Sequence, residues 1–262
     1  MTLAAEFLAR IDGINAHESD YLYEEVFLRR AYLPPGMTLP PGAIVFDVGA
    51  NIGIYTLFVL SECPTASVYA FEPVTPIVAK LRRNTAGFGP RVSVLDYGLS
   101  DVDREVDFTY YPGYSTMSGQ RSYADPAADK DLVRERITMD LDPGVLGELL
   151  DYRFREHTCR CRVRPLSSVI DECAVPRVDM LKIDVQRAEA DVLRGIADRH
   201  WPLIGQIVME VHDESGTRTG GVLSGIVELL RGHGFRVQAL QESALAGTDR
   251  YLVCSVAGHW PR

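Results

Sequence analysis

The chain has 262 residues, of which 46% are hydrophobic and 24% charged, with a formal net charge of −9. This length is enough for one large domain or a domain with a cap, and the negative charge argues against nucleic acid as a partner. The charged N-terminus and the absence of a long apolar run predict a cytoplasmic protein that does not bind membranes. Five irregularly spaced cysteines predict reduced thiols rather than a zinc site.

The first 40 residues predict a helical lead-in that precedes the main domain, residues 41–262. Residues 21–31 (YLYEEVFLRRA) are amphipathic, and the Pro-Pro-Gly run at 34–36 ends the pattern. We expect this lead-in to act as a lid over a pocket in the main domain.

Short apolar runs alternate with helical stretches from residue 43 onward. The run at 43–48 (AIVFDV) is rich in β-branched residues, as in a strand buried on both faces. The predicted order is strand 43–48, helix 54–60, strand 67–71, helix 76–85 and strand 92–97. This βαβαβ order predicts a doubly wound sheet.

The middle of the chain is less regular, and we interpret residues 102–165 as a cap insertion. Residues 104–110 predict a strand, residues 112–119 a loop, and residues 127–151 a helical region. Arg160, Arg162 and Arg164 alternate with apolar residues, which predicts the solvent-facing side of an edge strand.

The α/β pattern resumes after a short helix at 165–172. It gives strand 178–184, helix 188–195, strand 204–211, helix 221–231 and a final antiparallel pair at 235–239 and 251–256. The predicted fold is therefore α/β and Rossmann-like. Its doubly wound, mostly parallel seven-stranded sheet has a terminal antiparallel strand.

A glycine loop runs from Asp47 to Gly53 at the first strand-to-helix turn. Gly49 and Gly53 let the backbone approach a ligand closely, and Asn51 lies between them. The spacing matches neither the dinucleotide fingerprint nor a phosphate-binding loop. A carboxylate at Asp47 suits the sulfonium and amino groups of S-adenosylmethionine (AdoMet) better than a pyrophosphate.

Glu72 ends the second strand, where a carboxylate can accept hydrogen bonds from both ribose hydroxyl groups. Together with the glycine loop, it predicts AdoMet as the cofactor. The third strand ends beside the expected adenine position, so Asp96 or Tyr97 could bond or stack there, and Ser100 is a further candidate contact. A plain exit from strand to loop remains the alternative.

The next two strands end in Asp184 and in Glu210-Val-His212, which should be neighbours at the ligand crevice. Glu210 and His212 are two apart and share a face of the strand. We expect His212, with Glu210 and Asp184, to remove a hydroxyl proton during methyl transfer. His212 as a core histidine remains an alternative, as does a divalent-metal site that adds Asp213.

The sequence resembles the FkbM family of methyltransferases. The matching segments are FDVGANIGIYT (46–56), AFEP (70–73), GLSD (98–101), LKIDV (181–185) and MEVHD (209–213), with YEEVF…AYL (23–33) and LLRGHGF (229–235). The resemblance implies AdoMet as cofactor and a hydroxyl acceptor. It also implies cofactor contacts at Asp47, Gly49, Gly53 and Glu72, with His212 as the base.

The YYPGYSTMSG (110–119), WP and VHD elements are similar to those of the actinobacterial branch that methylates polyketide macrolides such as tacrolimus and rapamycin. One departure is at Gln186-Arg187, where the family usually reads KIDVEGAE. Because glutamine is neither a base nor a good ligand for a hard cation, this change weakens the metal alternative and leaves no metal in the prediction.

We therefore expect O-methylation of a polyketide-type secondary metabolite. A small-molecule natural-product acceptor is the expected partner. The sequence is compatible with a homodimer. Two alternatives remain: methylation of a saccharide or glycolipid hydroxyl group, and a non-catalytic AdoMet-binding module of a synthase.

Overall fold

A computed structural model describes residues 10–136, 142–213, 219–241 and 250–257 of the chain. The first nine residues of the predicted lead-in and residues 137–141 of the predicted cap lie outside the described residues. None of the helices in the described ranges is long and apolar enough to cross a membrane.

The described residues form eleven strands. In chain order they are β1 (Ile44–Val48), β2 (Ser67–Phe71), β3 (Val92–Leu95), β4 (Gly98–Leu99), β5 (Arg104–Tyr110), β6 (Gly119–Gln120), β7 (His157–Arg164), β8 (Met180–Ile183), β9 (Gln206–His212), β10 (Phe235–Gln241) and β11 (Arg250–Ala257).

The α-helices are α1 (Ala16–Tyr23), α2 (Ile54–Glu62), α3 (Thr75–Thr85), α4 (Pro126–Arg136), α5 (Pro143–Arg153), α6 (Leu166–Glu172), α7 (Glu189–Arg194) and α8 (Val222–Gly232). A π-helical turn, Glu24–Leu28, continues α1. Short 3₁₀ turns cover Ala86–Arg91, Ser115–Met117 and Trp201–Leu203.

Seven strands form the main sheet in the order β3-β2-β1-β8-β9-β11-β10. Neighbours from β3 to β9 pair in parallel, whereas β11 is antiparallel to both β9 and β10. This arrangement confirms the predicted Rossmann-like, mostly parallel sheet with an antiparallel strand near the chain end. Since β11 lies between β9 and β10, the antiparallel strand is internal to the sheet.

Two apolar layers cover the sheet because successive side chains of each strand point to opposite faces. On β1, Val45 packs with α2, α3 and the lead-in, while Phe46 packs with α6, α7 and α8. Both residues are fully buried. Parallel strands covered on both faces leave the carboxyl end of the sheet as the place for a ligand.

The cap contains a second sheet, in the order β4-β7-β5-β6, that the sequence pattern did not predict. Its strand β7 lies between β4 and β5, so the expectation of an edge strand is wrong. Arg160 and Arg162 face outward, but acidic partners neutralise them: Arg160 pairs with Glu105 and Asp107, and Arg162 with Asp103. Arg164 is buried and pairs with Glu172, so the prediction that it faces solvent is wrong. These contacts remove the local basic patch that the alternation suggested.

Candidate active site

A cleft that opens to solvent lies at the carboxyl ends of β1, β2, β8 and β9. Its floor is the glycine loop after β1. Residues 21–32 of the lead-in and residues 114–120 of the cap also line it. This is the crevice where a doubly wound sheet binds its ligands.

The glycines of the loop are required mainly by the packing of the protein itself. Gly49 has φ +77°, and a Cβ atom there would lie 1.9 Å from the carbonyl oxygen of Asp184. Gly53 has φ +93°, and its Cβ atom would meet Leu81 at 2.7 Å. Gly49 and Asn51 line the cleft, but Gly53 faces α3 and is not among the described lining residues. Gly53 therefore shapes the turn, and the structure gives no direct support to its approach to a ligand.

Asp47 is fully buried beneath the cleft and does not line it. Its carboxylate accepts a hydrogen bond from Thr56 at 2.7 Å and lies 3.3 Å from the ammonium group of Lys182. Lys182 also donates to the carbonyl oxygen of Gly49 at 2.9 Å. The predicted direct contact of Asp47 with AdoMet is therefore not supported. Asp47 instead binds Lys182, and Lys182 binds the backbone of the glycine loop.

Lys182 is the cation of this site. Burial alone would lower its pKa, but the carboxylates of Asp47 and Asp184 outweigh burial and raise it, so Lys182 stays charged. The register of the parallel pair explains the contact, because Lys182 on β8 lies directly opposite Asp47 on β1.

Glu72 lines the cleft at the end of β2 and is 6% exposed. Its carboxylate accepts hydrogen bonds from the backbone N–H groups of Asn51 at 3.1 Å and Val74 at 2.9 Å. Burial raises the pKa of Glu72 to about 7, and these two hydrogen bonds only partly oppose the shift. Glu72 thus lies in the cleft at the end of β2, and its contact with a ribose stays a prediction.

Tyr97 and Ser100 are not among the described residues that line the cleft. The guanidinium of Arg164 lies 5.0 Å from the centre of the Tyr97 ring. Ser100 is fully buried, and its hydroxyl donates to Asp101. Gly98 and Leu99, which lie between them, do line the cleft, so the structure gives no direct support to contacts from the Tyr97 and Ser100 side chains.

Asp184 and Glu210 do meet in the cleft, and a tyrosine from the lead-in joins them. The hydroxyl of Tyr32 donates to Asp184 Oδ2 at 2.9 Å and lies 3.4 Å from Glu210 Oε2. All three residues line the cleft. This wall lies opposite Glu72 across the glycine loop, so two of the three predicted catalytic residues are brought together.

His212 lies behind this wall rather than in it. Its side chain is fully buried, and its Nδ1 atom lies 2.6 Å from Glu189 Oε1 at the start of α7. Its Nε2 atom lies 4.0 Å from Glu210 Oε1, as expected for two residues on one face of β9. Because α7 covers this part of the strand, His212 does not line the cleft, and the alternative of a buried core histidine fits better than a base.

Metal-binding clusters of three or more His, Cys, Asp or Glu side chains are not found within the described ranges. In the arrangement that the metal alternative required, His212 would have to face the cleft. Its Nδ1 atom instead contacts Glu189.

The lead-in, the cap and the glycine loop meet at one buried carboxylate, Glu18. Glu18 accepts hydrogen bonds from the Ser115 hydroxyl at 2.7 Å and the Thr116 backbone N–H at 2.8 Å. Ser115 in turn accepts a bond from the Asn51 side chain at 3.0 Å. On the other side of the cap loop, Gln186 donates to the carbonyl oxygen of Thr116 at 2.9 Å. These contacts hold the loop over the cleft.

Sequence reasoning missed four residues of the site: Glu18, Tyr32, Lys182 and Gln186. Lys182 carried a usable signal, because a lysine inside an apolar strand requires a buried acidic partner. Glu18 lies in the first turn of α1, where Asn15 accepts a hydrogen bond from its backbone N–H, and this local pattern gives no signal of a contact with the cap.

Comparison with known proteins gives consistent matches. The family model described as the methyltransferase FkbM domain matches residues 47–237. The chain is 39% identical over 252 residues to the 31-O-demethyl-FK506 methyltransferase FkbM of Streptomyces tacrolimicus, over 94% of this chain and 93% of that protein. It is 45% identical over 249 residues to the AMB antimetabolite synthetase AmbE of Pseudomonas aeruginosa. That match covers 92% of this chain but only 12% of the synthetase.

Among solved structures, fibrillarin of Aeropyrum pernix with natively bound S-adenosyl-L-methionine is similar with a TM-score of 0.46 and 14% sequence identity. The similarity covers 87% of this chain and 74% of that chain.

Proposed function

Because the chain belongs to the FkbM family of methyltransferases, we propose that it uses AdoMet to methylate a hydroxyl group of a small natural-product acceptor. One observation carries this proposal. The cleft has a wall suited to a ribose, at Glu72, and facing it a wall of carboxylates suited to an acceptor hydroxyl group, at Asp184 and Glu210.

The residues of the first wall fit AdoMet. Glu72 is a buried carboxyl group that accepts hydrogen bonds from two backbone N–H groups, and ribose hydroxyl groups are the further donors it would take. Gly49 and Asn51 would hold the methionine part above the loop that Lys182 fixes, beside Asp184. When bound, AdoMet supplies a methyl group already activated by its sulfonium, and the sulfur leaves with the electron pair of the broken carbon–sulfur bond.

The protein's own work is then to orient the acceptor and to take its proton. Asp184 is a quarter exposed and Glu210 about a tenth exposed at the side chain, so both can face a bound hydroxyl group. A carboxylate acting as general base contributes about 10²–10⁴-fold, and holding the two reactants in line contributes the larger share. We propose Asp184 or Glu210 for this role in place of His212.

The lead-in and the cap are proposed to close over the acceptor and select it. Both segments line the cleft and are joined there by Glu18. The name of the Streptomyces relative supports a macrolide hydroxyl group as acceptor. The synthetase relative supports a second candidate, in which the methylated hydroxyl group belongs to an intermediate of a synthetase.

The test is transfer of an isotopically labelled methyl group from AdoMet to 31-O-demethyl-FK506, to simple saccharides and to synthetase-bound hydroxy acids. We expect a labelled ether with one of these classes. Asp184→Asn should lower turnover by about 100-fold or more, and the exposed Asp171→Asn should not. Binding of AdoMet without labelled product from any acceptor would contradict the enzymatic proposal and favour a binding module.

A further inference from the structure

Tyr32 reaches the cleft through a turn with an unusual backbone. Arg30, two residues earlier, has φ +54°, a conformation that non-glycine residues seldom adopt. Its guanidinium lies 2.6 Å from the Glu62 carboxylate and 5.2 Å from the centre of the Phe58 ring, so α2 holds the strained turn in place. Strain that is held in this way is typical of functional sites.

The Tyr32 side chain is 3% exposed, and its hydroxyl lies between two carboxylates from neighbouring strands. The distances are 2.9 Å to Asp184 and 3.4 Å to Glu210. The ring is fixed by Lys182, whose ammonium lies 5.3 Å from the ring centre, and by an edge contact with Tyr55 at 5.7 Å. The Tyr32 hydroxyl group is thus within hydrogen-bond distance of two carboxylates that would otherwise repel each other.

We propose that Tyr32 is a positioning residue, which holds Asp184 and Glu210 together so that one ionised carboxylate faces the acceptor hydroxyl group. The inference rests on the proposed methyl transfer. As the acceptor oxygen forms its bond to the methyl carbon, that carboxylate receives the hydroxyl proton, and Tyr32 keeps its own proton.

Tyr32 is suited to act as a permanent donor. Burial, together with the surrounding carboxylates, raises the pKa of Tyr32 well above its ordinary value, so the hydroxyl stays protonated. A donated hydrogen bond favours the ionised form of a carboxylate. The other titratable groups facing this pair are Glu25 and Tyr21 on the lead-in, Tyr55 on α2, Asp47 on β1, Lys182 on β8 and His212 on β9.

The test variant is Tyr32→Phe, which keeps the ring and removes the hydroxyl group. A matched control is Tyr123→Phe, which removes a 2.9 Å hydrogen bond to Asp191 outside the cleft. Crystal structures of both variants should show the carboxylates of Asp184 and Glu210 moving apart only in Tyr32→Phe. Unmoved carboxylates would overturn the inference whether or not the protein proves to be a methyltransferase.

The second readout is the pH profile of kcat with the acceptor found in the labelling assay. For Tyr32→Phe we expect kcat to fall about ten- to hundredfold and the acid limb of its pH profile to move to higher pH. The limb moves in that direction because the carboxylate that acts as base must be ionised. Without the hydrogen bond from the Tyr32 hydroxyl, its ionised form is less stable. A proportional loss at every pH, or a normal profile, would overturn the inference. Absence of transfer by the unaltered enzyme would instead overturn the proposed function, and the catalytic part of this inference with it.

Discussion

Glu72 carries a buried carboxyl group that the fold makes hard to ionise. Its pKa rises from an ordinary 4.5 to about 7, so between these values the folded protein keeps a proton that the unfolded chain has released. The tighter binding of this proton by the folded protein adds to the free energy of unfolding. The added stability is full below about pH 4.5 and is lost as the pH rises through about 7.

A ribose would reverse this preference, because its hydroxyl groups donate to the ionised carboxylate. We expect AdoMet affinity, measured calorimetrically, to rise by up to about tenfold per pH unit below pH 7 and to level off above it. Glu72→Gln should bind more weakly and without this slope. The same slope in both proteins would assign the pH dependence to another group.

His212 and Glu189 form a buried pair that ties the end of β9 to α7. Their side chains are 0% and 1% exposed, so removal of the imidazole leaves Glu189 without this partner in the interior. His212→Ala should lower the free energy of unfolding in denaturant by about 3 kcal/mol, with AdoMet affinity changed less than about twofold. A variant of normal stability that has lost turnover would return His212 to the role of base.

At the scale of elements, helix α4 of the cap is fastened to the loop after β8 by a buried ion pair. Arg187 lies 2.8 Å from Asp129, and the two side chains are 6% and 1% exposed. Arg187 holds a left-handed backbone, with φ +62°, at the position where the resembled family usually has glycine. The backbone strain at Arg187 is offset by an attachment that a glycine cannot make.

Arg187→Ala should release α4 without unfolding the main sheet. We expect hydrogen exchange of Pro126–Arg136 to accelerate by about 100-fold or more, while α3 stays protected. Arg134→Ala is the control on the same helix, since its pair with Asp131 is exposed and contributes little. Equal exchange in the two variants would show that the buried pair does not hold the cap.

The sequence predicted the strands and the glycine loop well where a local residue pattern determines the structure. The apolar run at β1, the glycine loop and the strand ends carrying Glu72, Asp184 and Glu210 follow from periodicity and turn chemistry. The cap sheet does not, because β4 and β6 are two residues long and pair only through distant segments. Tyr32 lies 152 positions from Asp184, so no local signal could place it in the site.

At the scale of the whole molecule, the lead-in and the cap both line the cleft and are joined to each other, and we propose that they cover it as one unit. Glu18 is 2% exposed and links both to the glycine loop through Ser115. Glu18→Ala should therefore let AdoMet dissociate about tenfold faster or more in stopped-flow measurements, because the hydrogen bonds to Ser115 and Thr116 are lost. Glu24→Ala, an exposed change on the same segment, should leave the rate unaltered. Equal rates would mean that the cover does not retain the cofactor.

The most direct measurement is a crystal structure of the protein with S-adenosylhomocysteine, the expected product. The account predicts ribose hydroxyl groups about 2.5–3.0 Å from the Glu72 carboxylate and the sulfur atom facing Asp184 and Tyr32 across the glycine loop. A ligand bound elsewhere, or one whose ribose does not touch Glu72, would contradict it.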